Sequence, residues 1–370
     1  MKPYTDDSIA ISQLESLQIY HGGKLFLQGI NFAKLSLDIS ERCWEYFASQ
    51  TFTRIELRAC EFDVSSFSLF LQSCLRMHTI ELLLVRVRLT QKEIEANKTV
   101  IGLIAANLNS DSHILRLSLS STKLSSCHEL AELAQLLKEK VPNLESLNIE
   151  NTEFYYAPLD EFQQFCKILG KSRLKKLNLS GNILAKDDTM NQRIDSLKAA
   201  FLESASLHSL NINYNNFYEA FLSEEDFKFF LLELIRSKSW EDLSLVDIHL
   251  EYILGENFEL YENLKQILDA INRCPITSLV LAGNYLGMGY DDKLTDNMQR
   301  VLTIVEDFFK QNSTLRLFDL SSTCLKIEAT SRLLQIASCR HDDGIVLKLD
   351  PVPSGDQDDL KITPACKLTL

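Results

Sequence analysis

Arginines that alternate with glutamates are the residues of this sequence with the clearest chemical potential. Arg54, Glu56 and Arg58 are spaced two residues apart, as on one side of an extended chain. Arginine forms paired hydrogen bonds with carboxylates and phosphates, and arginines beside aliphatic residues are typical anchors of protein interfaces. We therefore predict a binding surface here, and the alternative is an arginine that assists phosphoryl transfer. The predicted set is Arg54, Glu56, Arg58, Glu81, Leu83, Leu84 and Arg116.

A second group combines amide side chains with a tyrosine. It comprises Glu150, Asn178, Asn211, Asn213 and Tyr214. A tyrosine among amides is suited to contact a partner, because its ring is apolar and its hydroxyl is polar. The alternative for each of these residues is a solvated sheet on which polar side chains satisfy one another.

Motifs for catalysis, cofactors and metals are missing from the sequence. Gly283, Gly287 and Gly289 are not followed by the Gly-Lys-Ser/Thr of a phosphate loop. Cys127 and His128 are adjacent, which does not place a base against a nucleophile, and a structural cysteine is expected. The seven histidines include no His-Glu-x-x-His. The sequence therefore predicts no catalytic residue, no metal site, no cofactor and no enzymatic activity.

Composition narrows the classes of partner. The net charge of −13 and a pI near 5.1 argue against nucleic acid, because phosphate binding needs clustered lysine and arginine. No apolar run reaches the roughly 18 residues of a membrane span, and the first ten residues lack the apolar core of a secretory signal. The nine cysteines are scattered, which favours buried thiols in a reducing compartment. We expect a monomer with a cytoplasmic fold and a protein partner.

One pattern of eleven residues recurs along the chain and positions these side chains. Its best copy runs from Leu174 to Leu184, with leucine at positions one, four, six and eleven and Asn182 at position nine. The first residues of successive copies along the chain are 18 to 39 residues apart. They begin at Leu14, Phe32, Phe52, Met77, Ile114, Leu144, Leu174, Leu207, Trp240, Ile276 and Leu315, and a closing half-copy has Leu347 and Leu349.

Each copy predicts a short strand that ends in a turn. Positions four and six face the core, and positions three, five, seven and eight face away from it. Position nine is Asn, Thr or Cys in seven of nine complete copies, and such side chains can bond the buried backbone of the turn. Val85 and Ile248 cannot, so we predict weaker or rearranged turns there. The predicted position-five ladder is Gln18, Ser36, Glu56, Glu81, Ser118, Asn148, Asn178, Asn211, Ser244, Val280, Asp319 and Lys348.

Helices are predicted between the strands. Capping boxes at Thr90, Ser126 and Ser223 precede apolar residues at helical spacing, and Pro158 indicates another helix start. Identical strand–helix connections make the strands parallel and put the helices on one side. Because a layer of strands is narrower than a layer of helices, the array bends.

The predicted fold class is therefore α/β. We expect a leucine-rich-repeat solenoid, a curved horseshoe of about 11–12 repeats, with a parallel sheet on the concave face and helices on the convex face. Residues 1–350 are predicted as a single solenoid, with irregular N-terminal capping repeats in 1–50, regular repeats in 52–343, a closing strand in 344–350 and a tail in 351–370.

A strand plus a full helix in about 30 residues resembles the ribonuclease-inhibitor-like leucine-rich-repeat family. The irregular repeats, few glycines, acidic charge and many Phe, Asn and Lys residues are similar to those of Legionella-type effectors of intracellular bacteria. That resemblance implies virulence factors that act in the host cytosol after type IV secretion. The tail, with Asp356, Asp358 and Asp359 ahead of Leu368 and Leu370, resembles a type IV translocation signal. An ordinary solvated tail is the alternative.

The predicted function is a protein–protein interaction scaffold that binds a host protein through the concave face and one loop rim. Long or aromatic loops on this rim are Phe154 to Tyr156, Tyr214 to Phe221 and Gly287 to Asp292. For their Phe residues, packing on a neighbouring helix is the favoured interpretation. The alternative function is a GTPase-activating protein, as some ribonuclease-inhibitor-like proteins are, and Arg54, Arg58 or Arg116 would then act on the phosphates.

Overall fold

The structure, a computed structural model, describes residues 23–110, 112–123, 128–153, 156–182, 188–221, 223–255, 261–286, 296–325, 327–339, 345–349 and 367–368. The chain divides into two compact units. The first comprises Met1–Asn182 and Glu203–Ser206, and the second comprises Ile183–Leu202 and Leu207–Leu370.

Parallel strands connected by helices build the first unit. Its strands are β1 (Lys24–Gln28), β2 (Arg54–Arg58), β3 (Glu61–Phe62), β4 (Glu81–Val85), β5 (Arg88–Leu89), β6 (Arg116–Ser118), β7 (Ser146–Asn148) and β8 (Lys176–Asn178). β1, β2, β4, β6, β7 and β8 pair in that order, and β3 pairs with β5. The helices are Leu37–Ala48, Val64–Arg76, Gln91–Glu95, Val100–Asn107, Glu129–Gln135 with a π turn at Leu136–Lys140, and Leu159–Lys171.

The second unit repeats this arrangement. Its strands are β9 (Ser209–Asn211), β10 (Asp242–Ser244), β11 (Ser278–Val280), β12 (Leu317–Asp319), β13 (Val346–Lys348) and β14 (Lys367–Leu368), paired in that order and parallel. Its helical elements are Met190–Glu203, Phe217–Ala220, Glu224–Arg236, Leu250–Leu254, Tyr261–Ile271, Asp296–Gln311 and Ile327–Cys339. β14 lies in the segment predicted as a tail, where two residues extend the sheet.

The core of each unit lies between its sheet and its helices, as the leucine spacing predicts. Leu147 lies opposite Leu177 in the first unit, and Leu210 lies opposite Leu243 in the second. These four leucines are 1–2% exposed. Full burial of a leucine contributes about 1.5–3 kcal/mol, so the repeat pattern itself stabilises the stack.

Position eight of each repeat turns the chain out of the sheet. In the repeats of β1, β2, β4 and β6 to β12, the residue at position eight has a left-handed backbone, with φ between 49° and 71°. These residues are Gly29, Ala59, Arg86, Ser121, Asn151, Gly181, Tyr214, Asp247, Gly283 and Ser322. A residue with a Cβ costs about 1–2 kcal/mol in this conformation. The strained backbone of Tyr214 therefore follows from its place in the repeat.

The polar residue at position nine bonds two successive turns, as predicted. The Asn182 amide donates to Leu179 O at 2.9 Å and to Ile149 O of the preceding repeat at 2.8 Å. Its carbonyl accepts from Thr152 N at 3.0 Å. The turn at Ile248 has the bond that Thr152 makes with Asn182, because Asn284 of the next repeat accepts from Ile248 N at 3.2 Å. The Ile248 side chain itself makes no such bond, so the weaker or rearranged turn expected there stays a prediction.

The copy predicted to start at Met77 is wrong in register by two residues. β2 pairs with β4 so that Glu56 lies opposite Leu83, which makes Thr79 the first residue of this repeat. A two-residue shift keeps the same side chains inside, so the alternation of a strand cannot reveal it. Leu84, predicted on the exposed face, is a core residue at 0% exposure.

Two assignments change with this register. Position five is Leu83, and Glu81 occupies position three. Position nine is Val87 instead of Val85, so this turn still lacks a polar side chain. Backbone hydrogen bonds between β3 and β5 take the place of the missing polar side chain, and Arg88 N donates to Cys60 O at 3.1 Å. The turn is therefore rearranged, as predicted, but at a different residue.

The first strand was missed in the sequence. The copy predicted at Phe32 is wrong, because Phe32 closes the repeat of β1, in which Phe26 is at position five opposite Glu56. Ser36, predicted in the position-five ladder, is instead the N-cap of the helix Leu37–Ala48. Gly22 stands where the pattern requires an apolar first residue, so the repeat of β1 does not match the pattern. The copy at Leu14 and its Gln18 lie outside the described residues.

Candidate functional site

The candidate site in the first unit is its strand face, the side of the sheet opposite the helices. Predicted residues form one ion-paired group there, the Arg–Glu cluster: Arg54, Glu56, Arg58, Glu81 and Arg116. Arg54 donates to Glu56 at 3.0 Å and to Glu81 at 3.4 Å. Arg58 donates to Glu56 at 2.5 Å, and Arg116 donates to Glu81. The parallel pairing of β2, β4 and β6 thus brings the first predicted group together.

Glu56 is the buried centre of the Arg–Glu cluster. It is 8% exposed, so the contact role predicted for its side chain does not fit its burial. Burial raises the pKa of Glu56, but hydrogen bonds from Arg54 and Arg58 and the charges of both arginines outweigh it, and the pKa is lowered. Glu56 therefore stays ionised and orients the two arginines.

Two apolar side chains flank Glu56 on the same row. Phe26 and Leu83 occupy position five on either side of it, and both are half-buried. The Arg58 guanidinium lies 5.6 Å from the centre of the Phe26 ring, in cation–π contact. Phe26 was missed because β1 was missed. The alternation in Lys24 to Gln28 could have identified it.

The strand face of the first unit carries more basic than acidic residues. Over positions three, five and seven the basic residues are Lys24, Arg54, Arg58, Arg116 and Lys176, and the acidic residues are Glu56, Glu81 and Glu150. The chain as a whole has a net charge of −13. The charge of this face is thus positive, whereas the net charge of the chain is negative.

Asparagines at position five have a structural role in ending the strands. The Asn178 carbonyl accepts from Ser180 N at 2.9 Å, and Asn211 accepts from Asn213 N at 3.0 Å. Side-chain oxygens that bond the backbone two residues on form such turns readily. The Asn178 amide also donates to Glu150 at 3.4 Å. These bonds match the alternative of a self-satisfied polar ladder.

The remaining predicted residues of the second unit differ in exposure. Asn213 is 8% exposed and accepts from Val246 N at 2.7 Å, which leaves little of this side chain for the contact predicted for it. It is occupied in joining two turns. Tyr214 is 51% exposed and is free to contact a partner with its ring.

The loops predicted on the rim differ in what the structure describes of them. Phe154, Tyr155 and the segment from Gly287 to Asp292 lie outside the described residues, and Tyr156 is 58% exposed. In the loop after β9, Phe217 is 0% exposed and stacks on Phe230 at 5.6 Å. The packing predicted for this phenylalanine is confirmed.

Neither a metal site nor a membrane span is found among the described residues. No three His, Cys, Asp or Glu side chains there come together as a metal site. None of the described helices combines the length and the apolar character needed to cross a bilayer. Cys127 lies outside these residues, and His128 is 3.4 Å from Glu161 on a helix of the first unit.

Strand–turn–helix repeats with this register define the class: the chain is a leucine-rich-repeat protein, and the predicted fold class is confirmed. No protein-family model matches the sequence, and neither does any curated protein.

Two of the solved structures that are similar to this chain are compared with it below. The leucine-rich repeat-containing protein LegL7 from Legionella pneumophila is 24% identical, with a TM-score of 0.43 over 64% of this chain. This chain spans 66% of the LegL7 chain, just under two thirds. The tropomodulin C-terminal domain from Caenorhabditis elegans is 15% identical, with a TM-score of 0.31 over 49% of this chain and 91% of that chain.

Proposed function

We propose that the chain is a protein-binding scaffold, and that the strand face of its first unit binds an acidic surface of another protein. The observation that carries this proposal is the excess of basic residues on one face of a chain with a net charge of −13. Complementary charge speeds association and disfavours wrong partners. Half-buried Phe26 and Leu83 add apolar contact area within the same face.

The Arg–Glu cluster is suited to this role because its arginines are held in place. Glu56 bonds Arg54 and Arg58, while Arg116 keeps 59% of its side chain exposed. A side chain that is ordered before binding loses less conformational entropy in the complex. Arg54, Arg58, Arg116 and Leu83 are therefore the proposed contacts, with Glu56 and Glu81 in positioning roles.

We further propose that the partner is a host protein and that the chain is a secreted effector. The support is the sequence resemblance described above and the acidic tail with Asp356, Asp358 and Asp359. A translocation reporter fused to the full chain tests this. Removal of residues 351–370 should abolish delivery into host cells, and delivery that persists would contradict a signal in the tail.

The alternative, a GTPase-activating protein, is not favoured by the geometry. Arg54, Arg58 and Arg116 each bond a carboxylate within the cluster, whereas an arginine that acts on GTP must reach a phosphate. GTP turnover by small GTPases measures this directly. Stimulation that Arg116→Ala removes would restore the alternative.

Matched lysine and arginine variants test the strand face. We expect a triple variant of exposed face residues, Lys24→Ala, Arg116→Ala and Lys176→Ala, to lose proteins captured from host lysate by the intact chain. A control with the same change in charge replaces exposed residues on the helical side: Lys92→Ala, Lys138→Ala and Lys167→Ala. It should retain them. The same captured proteins with both variants, quantified by mass spectrometry, would contradict the proposal.

A further inference from the structure

A row of aromatic side chains lies on the loops that follow β9, β10 and β11 in the second unit. The rings of Tyr218, His249 and Tyr252 lie together there, Tyr285 lies on the next loop, and we name these four residues the aromatic rim. The Tyr218 ring lies 4.2 Å from that of His249 and 5.7 Å from that of Tyr252. Tyr285 N donates to Glu251, which also bonds His249 at 2.7 Å. Glu251 thus bonds both the His249 ring and the backbone of Tyr285.

The aromatic rim is distinct from the core beneath it. Phe217 and Phe227 are 0% exposed and fill the space between loop and helix. Tyr285, by contrast, is 40% exposed, and Tyr218, His249 and Tyr252 are half-buried. Partly exposed aromatic rings that carry a polar tip are characteristic of contact surfaces.

Carboxylates surround the aromatic rim. Glu219 accepts from Tyr218 OH at 3.3 Å, Glu251 bonds His249, and Asp247 is 4.0 Å from the same imidazole. The loop segments 212–221, 245–255 and 281–286 contain no lysine or arginine to neutralise them. Burial raises the pKa of Tyr218, and the charges of Glu219, Glu251 and Asp247 raise it further. The three carboxylates therefore act on one ring.

We propose that the aromatic rim binds arginine side chains of an extended basic segment in a partner protein. The faces of aromatic rings attract cations, and carboxylates supply the matching acceptors. Arginine fits better than lysine because its planar guanidinium stacks on a ring while its N–H groups bond carboxylates at the edge. This surface has the opposite charge from the strand face of the first unit and does not depend on the function proposed for that face.

Fluorescence anisotropy of the full chain with a labelled peptide of alternating arginine and glycine tests this site. At about 0.15 M salt, where general attraction to an acidic chain is screened, the peptide should bind. Tyr218→Leu and Tyr285→Leu keep apolar bulk but remove the tyrosine ring, and each should weaken binding about threefold to tenfold. Tyr285→Phe should retain binding, because the ring face remains.

Controls separate the aromatic rim from general charge. Tyr156→Leu removes a more exposed tyrosine of the first unit, and Glu262→Gln removes an exposed carboxylate from a helix of the second unit. Neither should change binding, whereas Glu219→Gln should weaken it. The triple strand-face variant should bind the peptide as the intact chain does.

Several outcomes would overturn the proposal. They are no binding of the peptide, no effect of the two leucine variants, equal weakening by the controls, and equal binding of a peptide in which uncharged citrulline replaces arginine. Loss of the lysate partners of the strand face has no bearing on these outcomes, so the two proposals fail separately.

Discussion

At the scale of single residues, asparagine has two different roles that look alike in the sequence. Asn182 at position nine is 0% exposed and bonds the backbone of two repeats. Asn178 at position five is half-buried and bonds the backbone of its own turn. The cost of removing each amide should therefore differ.

We expect Asn182→Ala to lower the free energy of unfolding by about 3 kcal/mol or more, because several buried backbone groups lose their partners at about 1–3 kcal/mol each. Asn178→Ala should cost about 1 kcal/mol or less, because water reaches the groups it leaves. Urea denaturation of both variants measures the difference. Equal losses would mean that position nine is not the buried connection between turns.

Glu56 makes stability depend on pH with a definite sign. Its pKa is lowered in the folded chain from the ordinary value of 4.5, so ionised Glu56 stabilises the fold above that value. The stabilisation is lost as the pH falls through the lowered pKa. We expect Glu56→Gln to be less stable than the parent at neutral pH and the gap to narrow in acid. Urea midpoints over a pH series test this, and a constant gap would contradict the role of Glu56.

At the scale of elements, the leucine spacing predicted the strands and their partners wherever it fixed a unique register. Nothing in Glu81 to Val85 fixes it, because three consecutive leucines satisfy the pattern in two frames. The Arg–Glu cluster was predictable because side chains two apart in a strand share a face. The repeat pattern does not include its flanking Phe26, since β1 lacks an apolar first residue, and only the alternation in Lys24 to Gln28 indicates this strand. The Asn side chains were assigned to binding because a sequence does not tell which amides the turns will occupy.

Helix starts show a similar limit. The Thr90 motif matches a capping box, yet Thr90 makes no side-chain cap bond, and its predicted helix divides into Gln91–Glu95 and Val100–Asn107. Ser223 does cap its helix, as predicted, because its hydroxyl oxygen accepts from Asp226 N at 3.2 Å. Asp63 was overlooked because Ser66 replaces the usual Glu, but Asp63 accepts from Ser66 N at 2.7 Å. Motif identity alone does not decide which caps form.

These caps give a matched pair of variants. Asp63→Ala should lower the free energy of unfolding by about 0.5–2 kcal/mol, the usual loss for an N-cap. Thr90→Ala should change it by about 0.5 kcal/mol or less, because no cap bond is lost. Thermal and urea unfolding of both variants provide the measurement. A larger loss for Thr90→Ala would reverse the assignment of the caps.

At the scale of the whole molecule, the chain divides into two compact units, and each contains buried leucines of its own repeats. Leu147 on β7 and Leu243 on β10 are both 1% exposed and occupy the same position of their repeats. In repeat proteins each unit is stabilised by its own residues and by its immediate neighbours. The same substitution should therefore have local effects that depend on the unit in which it is placed.

We expect Leu147→Ala and Leu243→Ala each to cost about 2–5 kcal/mol, the usual result of a cavity in a packed core. Under native conditions, Leu147→Ala should speed amide hydrogen exchange mainly in β6, β7 and β8, and Leu243→Ala mainly in β9, β10 and β11, because local openings report local stability. Hydrogen exchange followed by mass spectrometry resolves these segments, and Leu83→Ala, at a half-buried face position, serves as the control with a smaller effect. Equal acceleration throughout the chain by both core variants would mean that unfolding is cooperative over all repeats and that the two compact units are not separate units of stability.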